Sequence, residues 1–239
     1  MRIVEYVDAN NMTIEFQDEY KTKIHTSYGN FRKGSIKNPY FPSVHGVGMT
    51  GNKYPIRING GLVKEYNVWR HMLARCFNKK FKEENSSYEN VSCCKEWLLF
   101  ENFYEWIHSQ ENFDKWLHNN KWAIDKDILI KGNKVYSPET CCLVPQNVNN
   151  LFIKQYDIRG EYPIGVSYNE NKRKYDVHCS LNHKCIYLGS FTTLEEAFYV
   201  YKKYKEDVIK QIAQEEFNKG NITQNCYEAM LNYEVEITD

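Results

Sequence analysis

Residues 160–213 leave little choice of local structure. Tyr162–Tyr168, Lys174–Leu181 and Lys184–Phe191 are strand-length runs, and the pieces between them, Asn169-Glu170-Asn171-Lys172 and Asn182-His183, have turn chemistry. In the middle run Tyr175, Val177, Cys179 and Leu181 alternate with Asp176, His178 and Ser180, so one face is buried and the other meets water. Thr192 or Thr193 then caps a helix that carries Glu195 and Glu196 in its first turn, where the helix dipole favours negative charge. Ala197, Tyr201, Tyr204, Val208 and Ile212 form its apolar stripe, and Lys202, Lys203 and Lys205 are solvated. Three antiparallel strands and one long helix are predicted for residues 160–214.

The stretch with the most chemistry lies upstream, at Trp122–Phe152. An apolar run ends in Asp125-Lys126-Asp127, and a turn follows at Lys131-Gly132-Asn133. A strand-like piece ends near Tyr136, Ser137-Pro138-Glu139 turns again, and Cys141–Val144 reads as a short strand. Pro145 stands where a helix can begin, with Asn147, Asn149 and Asn150 in its first turns. Strand carboxylates facing a helix amide make a hard-oxygen set suited to Mg²⁺ or Mn²⁺. The plainer alternative is that Asp125 and Asp127 are polar positions on a half-exposed hairpin and the asparagines cap the helix.

The rest of the chain frames these two stretches. Arg2–Val7, Met12–Gln17 and Lys21–Thr26 read as strands of a small β module covering residues 1–45, with Ser27–Pro42 loop-like. Residues 46–60 are a glycine-rich connector with a hairpin. Tyr66–Phe77 and Trp97–His108 are amphipathic helices, Lys79–Asn90 is a polar loop, and Phe113–Leu117 adds a short turn. These elements are expected to pack around the hairpin as one unit, residues 61–152. Residues 215–239 form an extension with a short helix, Ile222–Leu231, and an acidic closing strand, Tyr233–Ile237, expected to pair with the N-terminal module. The fold class is therefore α+β.

Composition narrows the function classes. Aromatic residues make up 15% of the 239 positions, including 19 tyrosines and 5 tryptophans, so a core can be buried and flat faces are in supply. The formal net charge is zero, which argues against a generic polycation coating nucleic acid, though Lys79-Lys80-Phe81-Lys82 and Lys172-Arg173-Lys174 are local basic clusters. None of the 8 cysteines forms a Cys-x-x-Cys pair, which argues against a zinc ribbon and against structural Zn²⁺. Cys76, Cys94 and Cys141 with a histidine are the one thiolate set left open. Adjacent Cys doublets and the absence of a signal peptide or long apolar run point to a reduced, cytoplasmic protein with no membrane partner.

Two resemblances give these patterns a direction. Asp125-Lys126-Asp127, Asn133 and Asn149, with Trp69-x-x-Met72, Arg75-Cys76 and Cys94-x-x-Trp97 upstream, resemble a degenerate HNH (His-Me finger) nuclease of the phage-encoded homing kind. In that family a β-hairpin and a helix clamp one metal ion. The resemblance implies a central ββα-metal unit with flanking helices. It implies one Mg²⁺ or Mn²⁺ held by Asp125, Asp127 and Asn149, with Asp125, Lys126, Asp127 and Asn133 as candidate catalytic residues. The family's general-base histidine is replaced by Lys126, and His118, seven residues before Asp125, is the substitute if the chain folds back. Tyr162, Gly165-Val166, Tyr175, Tyr187-Leu188-Gly189-Ser190-Phe191 and Glu195-Glu196-Ala197 resemble an APETALA2-type DNA-binding domain. That family lays its exposed sheet face in the major groove. The resemblance implies Ser167, His178, Ser180 and Tyr187 facing DNA, with Lys172, Arg173, Lys174 and Lys184 beside them for phosphates. Ser167 and Ser180 stand where the family has arginines.

Together these readings predict a metal-dependent endonuclease acting on double-stranded DNA in a bacterial host cytoplasm. The alternative is a catalytically degenerate DNA-binding protein, regulatory or directed against host defence, or an inhibitor that binds a host protein.

Overall fold

The computed structural model describes residues 1–153, 161–181 and 184–239. The expected Asn182-His183 turn and the first residue of the 160–214 segment fall outside these residues. In chain order the elements are β1 (Arg2–Asp8), β2 (Asn11–Glu15), β3 (Lys23–Thr26), α1 (Tyr28–Lys33), β4 (Arg57–Ile58), β5 (Gly61–Leu62), α2 (Lys64–Phe77), α3 (Lys79–Glu84), β6 (Ser92–Cys93) and α4 (Phe100–His108). Then follow α5 (Phe113–His118), β7 (Trp122–Asp125), β8 (Val135–Tyr136), β9 (Cys142–Pro145), α6 (Gln146–Asn149), β10 (Val166–Asn169), β11 (Lys174–Leu181), β12 (Lys184–Phe191), α7 (Leu194–Asn218) and α8 (Gln224–Leu231). The protein is α+β, with small antiparallel sheets and one long helix near the C-terminus.

The chain divides into two compact units, and the boundary does not follow the expected 61–152 block. One unit is Met1–Asn78 with Lys95–Glu105; the other is Lys79–Cys94 with Trp106–Asp239. The 61–152 block places α2 around the hairpin. In the structure α2 instead buries Trp69, Met72, Leu73 and Cys76 within the first unit, against Trp97, Phe100 and Phe103.

In the first unit β1, β2 and β3 form an antiparallel sheet in that order, with Met12, Ile14 and Phe16 buried beneath it. Ser27–Pro42, expected to be loop, contains α1. The Ser27 hydroxyl accepts the Asn30 N–H at its start, and Gly34 ends it at φ 64°. The glycines and prolines around it obscured these cap signals. In the connector β4 and β5 pair across Asn59-Gly60, both at positive φ, as a tight hairpin turn requires. The buried indole N–H of Trp69 donates to the Trp97 carbonyl at 2.7 Å, so the largest side chain of the unit leaves no polar atom unmet.

Glu101, in the first turn of α4, organises the loop above it. Its carboxylate is buried and accepts the backbone N–H groups of Asn52 (2.8 Å) and Lys53 (2.7 Å) and the Tyr40 hydroxyl (3.2 Å). Gly51, at φ 66°, brings the backbone against this carboxylate, and a Cβ there would collide with it.

In the second unit β7 and β9 pair antiparallel, Ile124 opposite Leu143 and Asp125 opposite Cys142. The expected strand near Tyr136 is real but does not join this hairpin. β8 pairs in parallel with β6, at Ser92–Cys93, which satisfies both short edges. Lys79–Asn90 is not the expected polar loop: it holds α3 and a further helical turn at Ser86–Tyr88, too polar to show an apolar stripe. Ile128, Cys142, Val144, Val148 and Leu151 share one core with Val208, Ile209 and Ala213 of α7 and Cys226 and Met230 of α8. So α7, longer than expected, belongs to two cores: its first half covers the β10–β12 sheet and its second half the hairpin.

The expected closing strand does not form. Tyr233–Asp239 joins no sheet among the described residues, because side chains take its backbone groups. Val235 N–H donates to Glu206 (2.8 Å), and its carbonyl accepts from Lys202 (2.9 Å). Lys131 pairs with Asp239 at 3.0 Å.

Gly165, at φ 78°, lets β10 start against α7; a Cβ there would meet the Tyr201 ring and the His178 carbonyl. Gly165→Ala is therefore expected to lower stability by about 2–4 kcal/mol, combining backbone strain with a steric shift, measured by denaturant unfolding of the full chain. A loss below about 0.5 kcal/mol would mean the ring moves freely aside.

Candidate functional site

The β7–β9 hairpin buries Trp122 and the whole of Cys142–Pro145, and the segment between its strands is anchored by the buried side chains of Ile128, Tyr136 and Cys141. α6 follows β9 directly and packs on both strands, with Val148 fully buried beneath it. Asn133 closes the loop: its amide donates to the carbonyls of Lys126 (2.8 Å) and Val135 (2.7 Å), and its oxygen accepts the Val135 N–H (3.2 Å). Gly132 supplies the positive φ this turn needs, at 76°.

Within this frame the candidate residues have distinct settings. Asp125 ends β7, and its Oδ1 accepts the N–H groups of Asp127 (2.6 Å) and Ile128 (2.8 Å). Burial pushes its carboxyl above the usual range, against those two bonds, and the neighbouring Asp127 charge adds to the rise. Lys126 is buried, 7% exposed. Its ammonium donates to both oxygens of Asp127 (2.7 and 2.8 Å) and to the Asn133 carbonyl (3.2 Å), and it sits 5.7 Å from the Tyr136 ring centroid. Its ammonium donors are thereby committed to Asp127 and to the Asn133 carbonyl. Asp127 is half-exposed and already balanced by that cation.

Asn149 is the last residue of α6 and half-buried. Asn147 is turned away, donating to Glu216 on α7 at 3.4 Å. His118 is the exposed last residue of α5, a helix that packs along β7 and β9. Among the described residues no group of three or more His, Cys, Asp or Glu side chains gathers as a metal site. Of the hard-oxygen donors, Asp125 and Asp127 are linked by the 2.6 Å bond above, and Asn149 lies on α6, which packs on β7 and β9. Of these, Asp127 already accepts from Lys126 through both oxygens.

The second candidate surface is the outer face of the β10–β12 sheet. The ladder places Ser167 opposite Asp176, Asp176 opposite Ser190, and His178 opposite Tyr187. A bulge at Leu188 separates the last two pairs, and Gly189 beside it has φ 135°. Ser167, Ser180, Lys184 and Tyr187 are exposed, Tyr187 by 53%. Lys172 and Arg173 lie in the β10–β11 turn and Lys174 begins β11; Asn169 closes the turn by accepting the Lys172 N–H (3.2 Å), and Arg173 takes φ 51° in it.

The residue the sequence reading passed over is Asp176. It is 7% exposed and central to this face. Asn169 donates to it at 2.8 Å, the Lys172 ammonium lies 3.2 Å from both its oxygens, and the Tyr187 hydroxyl lies 3.4 Å away. The buried Ser190 hydroxyl faces it across the ladder. Ser190, Asn169 and Lys172 together hold this carboxyl down at about 2. The alternation of Asp176 with His178 and Ser180 had located it on the outer face. Its role as a hub depends on partners from both neighbouring strands and a turn, which one strand's pattern does not reveal.

No family model matches this chain, and no curated protein or solved structure matches it.

Proposed function

We propose that the protein is a metal-dependent endonuclease for double-stranded DNA of the phage HNH type, with the β10–β12 sheet face positioning the duplex. The observation that carries this reading is the hairpin of β7 and β9 running directly into α6, with Asp125 at the strand end and Asn149 on the helix. Its resemblance to the His-Me finger nucleases and that of residues 160–214 to APETALA2-type domains point the same way. Asp125 and Asn149 would hold one Mg²⁺ or Mn²⁺, joined by Asp127 once Lys126 lets go. Such an ion, when bound, supplies Lewis-acid polarisation of the scissile phosphate and charge for the leaving 3′ oxygen.

The chain's own groups do the rest. Lys126 adds fixed positive charge beside the phosphate. His118, exposed on a helix that packs along the hairpin, takes the proton of the attacking water. Asn133 holds the loop in register. Lys172, Arg173, Lys174 and Lys184 surround a sheet face carrying Ser167, His178, Ser180 and Tyr187, which suits duplex DNA. No helix among the described residues is long and apolar enough to cross a membrane, and we place the activity on DNA in a bacterial host cytoplasm.

One observation favours a second reading. The Lys126–Asp127 ion pair occupies the base position and one metal oxygen at once, as expected if the hairpin has become structural. The protein would then bind DNA without cutting it, or act on a host protein. Plasmid nicking with Mg²⁺ or Mn²⁺, beside a gel shift on the same duplex, separates these. Nicking supports the endonuclease, a shift without nicking the binding protein, and neither supports a host-protein target.

A further inference from the structure

Lys172 is not a free surface lysine. Its ammonium is held 3.2 Å from both oxygens of Asp176 and 5.6 Å from the Tyr187 ring centroid, so it lies over the sheet instead of reaching outward from the turn. A donor held over a sheet that enters a groove is placed for base edges. Asp176 is out of place on a surface for phosphates, which it repels. In the major groove, however, a carboxylate has a partner in the cytosine N4 amino group, and lysine has one in guanine O6 and N7.

We infer that Lys172 and Asp176 read one G·C base pair in the major groove, Lys172 donating to guanine and Asp176 accepting from cytosine. This rests on the DNA-binding reading of the sheet face. An A·T pair at the same place exchanges these groups, since the amino donor moves to the purine and thymine O4, an acceptor, faces the carboxylate beside a methyl group. Arg173, on the same turn and exposed, is left for the phosphates.

The test uses the full chain. A randomised duplex library is selected for binding. Affinities for the best duplex and its single-base-pair variants are then measured across salt concentrations for wild type, Lys172→Ala, Asp176→Asn and Arg173→Ala. Wild type is expected to prefer G·C at one position by about 5- to 150-fold. Lys172→Ala and Asp176→Asn each flatten that preference to about twofold or less, and Lys172→Ala leaves the salt slope unchanged. Arg173→Ala keeps the preference and reduces the slope by about 0.9. If Asp176→Asn does not fold, Lys172→Ala decides alone. A reduced slope with the preference intact in Lys172→Ala makes Lys172 a phosphate contact and overturns the inference. Tight binding by wild type with no G·C preference at any position overturns it too, while leaving the DNA-binding reading standing. No binding of any duplex by wild type overturns both.

Discussion

Asp125→Asn is expected to abolish plasmid nicking, by about a thousandfold or more, while leaving the hairpin folded. An asparagine oxygen can still accept the Asp127 and Ile128 N–H groups that Asp125 Oδ1 now accepts, so the strand end keeps its turn. What is lost is the negative charge a divalent cation needs. Stability offers an independent check, because burial raises the Asp125 carboxyl. The folded protein then binds this proton more readily than the unfolded chain. Wild-type stability should rise as pH falls through the folded-state value and be lost as pH rises back through it, and Asp125→Asn should lack that response. Asp176 runs the other way: held at about 2, it stabilises above the ordinary carboxylate range, and its contribution disappears as pH falls toward 2. Nicking that survives in Asp125→Asn at wild-type rate would remove the hairpin from the chemistry.

Glu101→Ala should destabilise the first unit by about 3–5 kcal/mol. The substitution leaves two backbone N–H groups, of Asn52 and Lys53, and the Tyr40 hydroxyl without the acceptor they share. Each such bond to a charged group contributes about 1.5–3 kcal/mol, and an unmet buried donor costs a similar amount. Tyr40→Phe removes one of the three and should cost about 1 kcal/mol. Denaturant unfolding followed by tryptophan fluorescence reports on this directly, since Trp69 and Trp97 lie in the same unit. A change under about 1 kcal/mol in Glu101→Ala would mean that the loop from Tyr40 to Lys53 is held by something else.

Much of the fold was readable from residue order because the signals were local. β11 and β12 span the expected residues, and α7 begins where Thr193 caps it, its hydroxyl accepting the Glu196 N–H. The strands on either side of Asp8–Asn11 are of the same kind. Boundaries went astray where signals overlapped. α1 lies hidden among glycines and prolines, and α3 has no apolar face to announce it. The candidate site divides along the same line. The order of strand, loop, strand and helix around Asp125 and Asn149 was legible, and so was the outward set Ser167, His178, Ser180 and Tyr187.

What the residue string determined by itself is the inventory of strands and helices, the faces they bury, and the placing of acidic, amide and basic groups at their ends, since each depends on neighbours a few positions apart. Tertiary structure alone decided that β8 leaves the hairpin to pair with β6, that α7 serves two cores, that Lys126 closes on Asp127, and that Asp176 gathers Asn169, Lys172 and Tyr187. Those outcomes turn on which buried groups find partners once distant segments meet. A charge or an unpaired edge can be satisfied in several ways along the chain, and only the packed arrangement selects one.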